Sequence, residues 1–175
     1  MPTQVYYDNS LQVIDVLEWA LEQVGSAKVW QTSFSMSSEF LSRLNMMKKQ
    51  GRANVIEHVL ILDIKALEKT RKLWKAISMV IPLVYLSKSH AKFMLIEGEN
   101  GMKVTMLTSQ NLTRGNRYES SLITTHAGLF DRLKEQAEFV IKNYSRPFHE
   151  IYDEHRDVAE MFAVLKKTMN EIEQL

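Results

Sequence analysis

The segment that most constrains the fold is Val55–Leu62, which is nearly continuous in apolar residues. Such a run favours a strand that is buried on both faces, and therefore a sheet that helices cover on both sides. Helical periodicity precedes this segment at residues 37–49 and follows it at residues 64–79. Further strands are predicted at residues 27–34, 83–86, 90–96, 102–107 and 120–125, and further helices at residues 10–24, 127–144 and from Pro147 onward. This order predicts an α/β fold, with a mixed β-sheet flanked by helices on both faces.

Capping and turn residues set the predicted boundaries. Asn9 is the predicted N-cap of the first helix, with Gln12 placed to complete a capping box. Ser37 or Ser38 is predicted to cap the second helix. Between two later strands, Asn100-Gly101 is typical of a hairpin turn.

The length of 175 residues suits one domain with one core. We divide it into a domain at residues 1–146 and an extra C-terminal helix at residues 147–175. The apolar positions of that helix alternate in steps of three and four: Phe148, Ile151, His155, Val158, Phe162, Leu165, Met169 and Ile172. This heptad pattern predicts a helix that packs on the domain's own core or contacts a second copy.

Composition excludes several classes of protein. With no cysteine, the chain has no disulfide framework, thiol nucleophile or Cys-ligated metal. The N-terminus lacks the basic and apolar regions of a signal peptide, and the longest apolar stretch is too short for a membrane-spanning helix. We therefore expect a cytoplasmic protein with no stable membrane anchor.

Polar residues whose side chains could act together on a phosphoryl group cluster around the predicted hairpin. His90 and Lys92 alternate on one predicted strand, and Ser109 and Asn111 follow the strand that returns beside it. An imidazole can attack phosphorus and leave again. The ammonium of Lys92 and the amide of Asn111 can stabilise phosphoryl oxygens. Glu119 is expected to hold the far nitrogen of the imidazole and fix its tautomer.

These residues resemble the HKD motif of the phospholipase D-like superfamily. His90 and Lys92 match its His-x-Lys element, and Ser109 and Asn111 match its Gly-Ser-x-Asn element, with Thr108 in place of glycine. The remaining matches are Glu97 at the aspartate position, where a supporting role is implied, and Asn116 with Glu119 in the final Asn-x-Glu element, spelled here with one extra residue. The resemblance implies a phospholipase D-like fold and phosphodiesterase chemistry. Loss of activity is expected if position 108 requires a conformation that only glycine adopts.

The chain carries one such motif, because neither His58 nor His126 is followed by the required lysine. Superfamily enzymes generally use two motifs, and single-motif bacterial endonucleases bring them together in a homodimer. The resemblance therefore implies a homodimer with an isologous interface. His90 of one copy would form a phosphohistidine, and His90 of the other would protonate the leaving oxygen. This mechanism requires neither a metal ion nor a cofactor.

Charge favours nucleic acid, DNA or RNA, as the substrate. Residues 1–130 hold 15 Lys and Arg against 11 Asp and Glu, whereas residues 131–175 hold 7 against 10. Basic residues on the helix at 64–79 and Arg114 and Arg117 beside the motif suit a polyanion. The substrate-binding candidates are Thr108, Ser109, Arg114, Asn116 and Arg117. Two alternatives stay open: an enzyme that cleaves phospholipids, and a catalytically inactive module for nucleic-acid binding or assembly.

Overall fold

The computed structural model describes residues 3–154, which are built around one eight-stranded mixed sheet. The strands are β1 (Gln4–Asp8), β2 (Ala27–Ser33), β3 (Val55–Asp63), β4 (Leu83–Ser87), β5 (Phe93–Gly98), β6 (Lys103–Thr108), β7 (Glu119–Thr124) and β8 (Ser145–Pro147). The helices are α1 (Val13–Val24), α2 (Ser38–Lys49), α3 (Leu67–Val80) and α4 (Ala127–Tyr144), and residues 148–154 are also helical. The strand order is β1-β7-β6-β5-β2-β3-β4-β8, in which only the β2–β3 and β3–β4 pairs are parallel. The predicted α/β fold is confirmed.

Alternating side chains of the central strands supply two hydrophobic layers. On one face, Val29 of β2 and Leu60 of β3 belong to a large core that α1, α2 and α3 cover. On the other face, Trp30 of β2 packs edge-on against Phe130 of α4, with ring centroids 6.4 Å apart. The run at residues 55–62 is therefore apolar because helices bury both faces of its strand, as predicted.

Several predicted boundaries were wrong. The strand predicted to begin at His90 begins at Phe93, so the connection from β4 includes residues 88–92. Gln12, not Asn9, is the N-cap of α1, and it shares reciprocal capping bonds with Asp15. The sequence did not indicate the edge strands β1 and β8, which pair antiparallel with β7 and β4.

The start of the predicted C-terminal helix packs on the domain itself. Phe148 and Ile151 are buried in the large core. The Phe148 ring lies 4.6 Å from the Trp74 ring of α3, measured between centroids. The remaining heptad positions, from His155 onward, lie outside the described residues. Within residues 148–154, Phe148 and Ile151 are therefore part of the same core as α1, α2 and α3.

Candidate active site

Most of the motif residues lie at one edge of the sheet. The carboxyl ends of the parallel strands β2, β3 and β4 lie there, and so does the amino end of β5, because Phe93 pairs antiparallel with Thr32. The next hairpin brings the end of β6 and the start of β7 to the same edge, where Thr108 pairs with Ser121. Ligands of open α/β sheets bind outside the carboxyl ends of strands. The fold thus brings the connections that carry most motif residues to a favourable edge.

His90 and Lys92 lie in the connection that precedes β5, not on the strand itself. The predicted alternation on a strand is therefore not what places them together. His90 is exposed, and its ring meets the Phe34 ring edge-on at 5.6 Å between centroids. Lys92 Nζ donates to the His90 carbonyl at 3.1 Å, while the Lys92 carbonyl accepts from the Thr108 N–H at 3.1 Å. An accessible imidazole and an ammonium thus share one short connection beside the end of β6.

The segment after β6 alternates between buried and outward-facing residues. Gln110 is buried and donates from Nε2 to the Leu11 carbonyl at 2.6 Å. Leu112 is buried, and its N–H donates to Ser33 Oγ at 3.0 Å. These anchors fix the intervening Asn111, which is half-buried. The Ser-x-Asn spacing of the motif therefore reflects an extended segment whose alternate residues are tied into the domain.

The hydrogen bonds of Asn111 define which way its amide points. Its Oδ1 accepts from the Phe34 N–H at 3.1 Å and, at 3.4 Å, from the Ser33 hydroxyl, which shares its proton with the Ser35 carbonyl at 2.8 Å. Only oxygen can take this position, because a backbone N–H is solely a donor. No hydrogen bond within residues 3–154 uses Asn111 Nδ2. Both amide protons are consequently available to an anionic oxygen at the sheet edge.

Glu119 contacts a different partner from the one expected. Its carboxylate accepts from the Ser109 hydroxyl, and Ser109 Oγ in turn accepts from the Ser120 N–H at 3.0 Å. The expected Glu119 bond to the ring of His90 is not among the hydrogen bonds of the described residues. The carboxylate therefore orients Ser109 in this structure, and the His90 ring contacts Phe34.

Thr108 fits the position where the motif has glycine. Its hydroxyl is 2.9 Å from Ser121 Oγ and accepts from the Gln110 N–H at 3.1 Å. No residue other than glycine has a positive φ within residues 3–154. The backbone at this position is thus one that any residue adopts, and the added side chain is held by the strand pair β6–β7.

Glu97 lies away from the other motif residues, near the opposite end of β5. Four residue steps separate it from Phe93, or about 13 Å along a strand. Its carboxylate is 2.9 Å from Lys134 Nζ and 3.8 Å from Lys103 Nζ. A hydrogen bond from Lys103 to Asp131 is the main cause that raises the pKa of Lys103. Glu97 therefore joins the sheet to α4 and has no direct contact with His90.

The candidate substrate-binding residues of the β6–β7 connection are exposed. Arg114 donates to Glu39 at the start of α2 at 2.9 Å. Asn116 and Arg117 are also exposed, and neither makes a hydrogen bond or ion pair within the described part of the chain. Arg117 is therefore more available to an anionic ligand than Arg114, which is already paired with Glu39.

The structure also brings Lys69 and Ser35 to this edge, although the sequence did not assign them to the site. Lys69 Nζ of α3 lies 3.4 Å from Ser35 Oγ in the connection that follows β2. The signal in the sequence was the basic pattern of the helix, but only the parallel pairing of β2 and β3 shows that this lysine is near the motif. Ser33, which orients Asn111, was likewise unassigned.

Two kinds of feature are absent from residues 3–154. No helix in that range combines the length and apolarity needed to cross a membrane. The same range holds no group of three or more His, Asp and Glu side chains arranged to bind a metal ion.

Comparison with solved structures identifies the fold. Nuc from Salmonella typhimurium, a phospholipase D family member, matches at 16% identity and a TM-score of 0.57, over 83% of this chain and 97% of that one. NucT from Helicobacter pylori matches at 13% identity and a TM-score of 0.61, over 82% of this chain and 97% of that one. Phosphatidylserine synthase from Haemophilus influenzae matches at 13% identity and a TM-score of 0.54, over 94% of this chain and 45% of that one. No protein-family model and no curated protein matches the sequence. The chain has the phospholipase D-like fold, as the motif predicted.

Proposed function

We propose that this protein is a phosphodiesterase, and more specifically a metal-independent nuclease that acts through a phosphohistidine in a homodimer. The observation that carries the proposal is the meeting of an exposed imidazole, His90, with Lys92 and the oriented amide of Asn111 at one sheet edge. The phospholipase D-like fold supports the same chemistry.

In the proposed reaction, a nitrogen of the His90 ring attacks the phosphorus and the bond to the leaving oxygen breaks. The imidazole of a second copy gives that oxygen a proton, and then takes a proton from water as the water attacks the phosphorus, which breaks the phosphorus–nitrogen bond and frees His90. Lys92 and Asn111 stabilise the charge on the non-bridging oxygens. Each chain offers one motif, so the second imidazole has to come from a partner copy.

Nucleic acid is the proposed substrate class because basic groups extend from the site. Lys69 of α3 lies beside Ser35, Lys72 is exposed three positions later on the same helix, and Lys65 is exposed in the short 3₁₀ turn that precedes it. Positions three apart share one helix face, so Lys69 and Lys72 lie side by side. Such a row neutralises consecutive phosphates of a strand.

The deciding experiment is cleavage of labelled DNA and RNA in excess chelator, with His90→Ala as the matched variant. We expect cleavage by the wild-type dimer, none by the variant, and a protein–phosphate adduct in wild-type samples quenched with detergent at alkaline pH, where the phosphorus–nitrogen bond is stable. Equal cleavage by both proteins would refute the proposal. The solution mass from sedimentation tests the homodimer independently.

One alternative has a specific observation behind it: phosphatidylserine synthase shares the fold. A phospholipid substrate predicts release of a headgroup from vesicles, and no cleavage of nucleic acid. The third hypothesis, an inactive module for binding or assembly, predicts that neither substrate is cleaved.

A further inference from the structure

Two tyrosine rings stack on each other in the open beside the site. Tyr7 of β1 and Tyr118, just before β7, have ring centroids 5.4 Å apart and planes inclined by 32°. They nevertheless stay 74% and 63% exposed. Stacked aromatic rings that keep this much exposed surface leave their outer faces available to another flat group.

The sheet holds this pair at a fixed place next to the motif. Tyr7 pairs in register with Ser120, whose N–H donates to Ser109 Oγ. Tyr118 directly precedes Glu119, the carboxylate that binds Ser109. The pair is therefore attached to the same backbone segment that carries the Ser109–Glu119 contact.

Charge around the pair favours an uncharged ligand group at the rings. Asp8 pairs in register with Glu119, so two carboxylates lie at this end of β1 and β7. Hydrogen bonds from Ser10 lower the pKa of Asp8 and keep its carboxylate ionised. A phosphate directly at these two carboxylates is repelled, whereas Lys92 and Lys69 attract phosphates on the side of the site nearer β5 and β2, and the exposed Arg117 beside Tyr118 is available to a flanking phosphate.

We infer that Tyr7 and Tyr118 form a stacking platform for an unpaired base of single-stranded nucleic acid, about two nucleotides along the strand from the phosphate that lies at His90, because three strand spacings, about 14 Å, separate β1 from β5. This inference rests on the proposed function, since it takes a nucleic-acid strand as the substrate. A single strand can turn its bases toward the rings and its phosphates toward the lysines, which is how sequence-tolerant proteins bind single strands. Duplex DNA keeps its bases stacked within the helix and cannot use the platform.

The test measures binding in the His90→Ala protein, so that the ligand is not cleaved. Fluorescence anisotropy follows 15-residue oligothymidylate, oligouridylate, a duplex and an abasic strand with the same number of phosphates. We expect Tyr118→Ala to weaken binding of the oligothymidylate about 5- to 150-fold, the range for loss of one base–aromatic stack. Binding of the abasic strand should be unaffected by this substitution, and Tyr118→Phe should retain the wild-type affinity for oligothymidylate. The oligouridylate arm shows whether RNA uses the same platform.

A matched control is available on α4, where Phe139 and Tyr144 form another exposed pair, with centroids 5.7 Å apart. Phe139→Ala should leave oligothymidylate binding unchanged. If Tyr118→Ala weakens binding of the abasic strand equally, the effect does not depend on a base, and if it converts dimers to monomers in sedimentation, the pair is a subunit contact; either result overturns the inference. Unchanged oligothymidylate binding overturns it too, even if the wild-type protein cleaves DNA. Weakened binding with no cleavage by wild type upholds the platform and refutes only the proposed activity.

Discussion

Replacing Asn111 by Asp or by Ala separates the two roles of its side chain. In the structure the oxygen accepts from the Phe34 N–H and the Ser33 hydroxyl, while the nitrogen has no partner within residues 3–154. Aspartate keeps an oxygen at the accepting position and replaces the free donor with a negatively charged oxygen. Alanine removes both the acceptor and the donor.

The two variants therefore differ in the expected size of each effect. Loss of one donor to a developing oxyanion lowers kcat about 10²- to 10³-fold, and both variants should show at least this loss. Asn111→Asp should keep the free energy of unfolding within about 0.5 kcal/mol of wild type, because its oxygen still accepts both bonds. Asn111→Ala leaves the Phe34 N–H without its acceptor in a half-buried segment, which costs about 1–3 kcal/mol.

The assay pairs hydrolysis of bis(p-nitrophenyl) phosphate in chelator with thermal unfolding of the same samples. For a chain of this size, each kcal/mol lost should lower Tm by about 2–4 °C. We expect an inactive Asp variant with a wild-type Tm, and an inactive Ala variant with a lower one. An Asp variant within tenfold of wild-type activity would show that the free nitrogen does not contact the reacting phosphoryl group. An Asp variant as unstable as the Ala variant would refute the assigned direction of the amide.

Three further predictions concern other parts of the molecule. Burial lowers the pKa of His58 to about 3, so the folded state disfavours protonation of this ring. The free energy of unfolding, measured in urea, should therefore fall by about 1.4 kcal/mol per pH unit as the pH decreases from 6.5 toward 3. His58→Leu should remove this contribution. If Lys69 contacts a phosphate, Lys69→Gln should reduce the slope of log affinity for DNA against log salt by about 1, whereas Lys28→Gln on the opposite end of β2 should not change it. Glu97→Gln weakens two ion pairs away from the site, so Tm should decrease by a few degrees while the pH profile of hydrolysis keeps its shape; a shifted profile would indicate that Glu97 acts on His90.

The central elements could be predicted because burial imposes a pattern on them. Residues 55–62 are apolar since helices cover both faces of β3, and the period of residues 13–24 follows from the single buried face of α1. The edge strands carry no such pattern. β1 exposes Val5 and Tyr7 and is held by its register with β7, which is a long-range pairing that local sequence does not encode.

The motif predicts which residues form the candidate site, but the sequence could not provide their geometry. The Ser-x-Asn spacing indicated an extended segment, and the structure supplies the anchors that hold it, Gln110 and Leu112. The position of His90 depends on where β5 begins. The sequence predicts a strand from His90, with His90 and Lys92 alternating on it, whereas pairing with β2 starts the strand at Phe93. Contacts such as that between Lys69 and Ser35 join residues 34 positions apart and exist only after the parallel strands pair.

Thr108 shows why a departure from a motif has to be judged by its surroundings. From the sequence, a β-branched residue in place of glycine threatens activity if the position needs a positive φ. The backbone here needs none, and the hydroxyl forms a bond with Ser121 across the β6–β7 pair. The same hydroxyl accepts from the Gln110 N–H, which begins the segment that carries Asn111. The departure thus adds a contact that positions the site, and it gives no structural reason to expect an inactive protein.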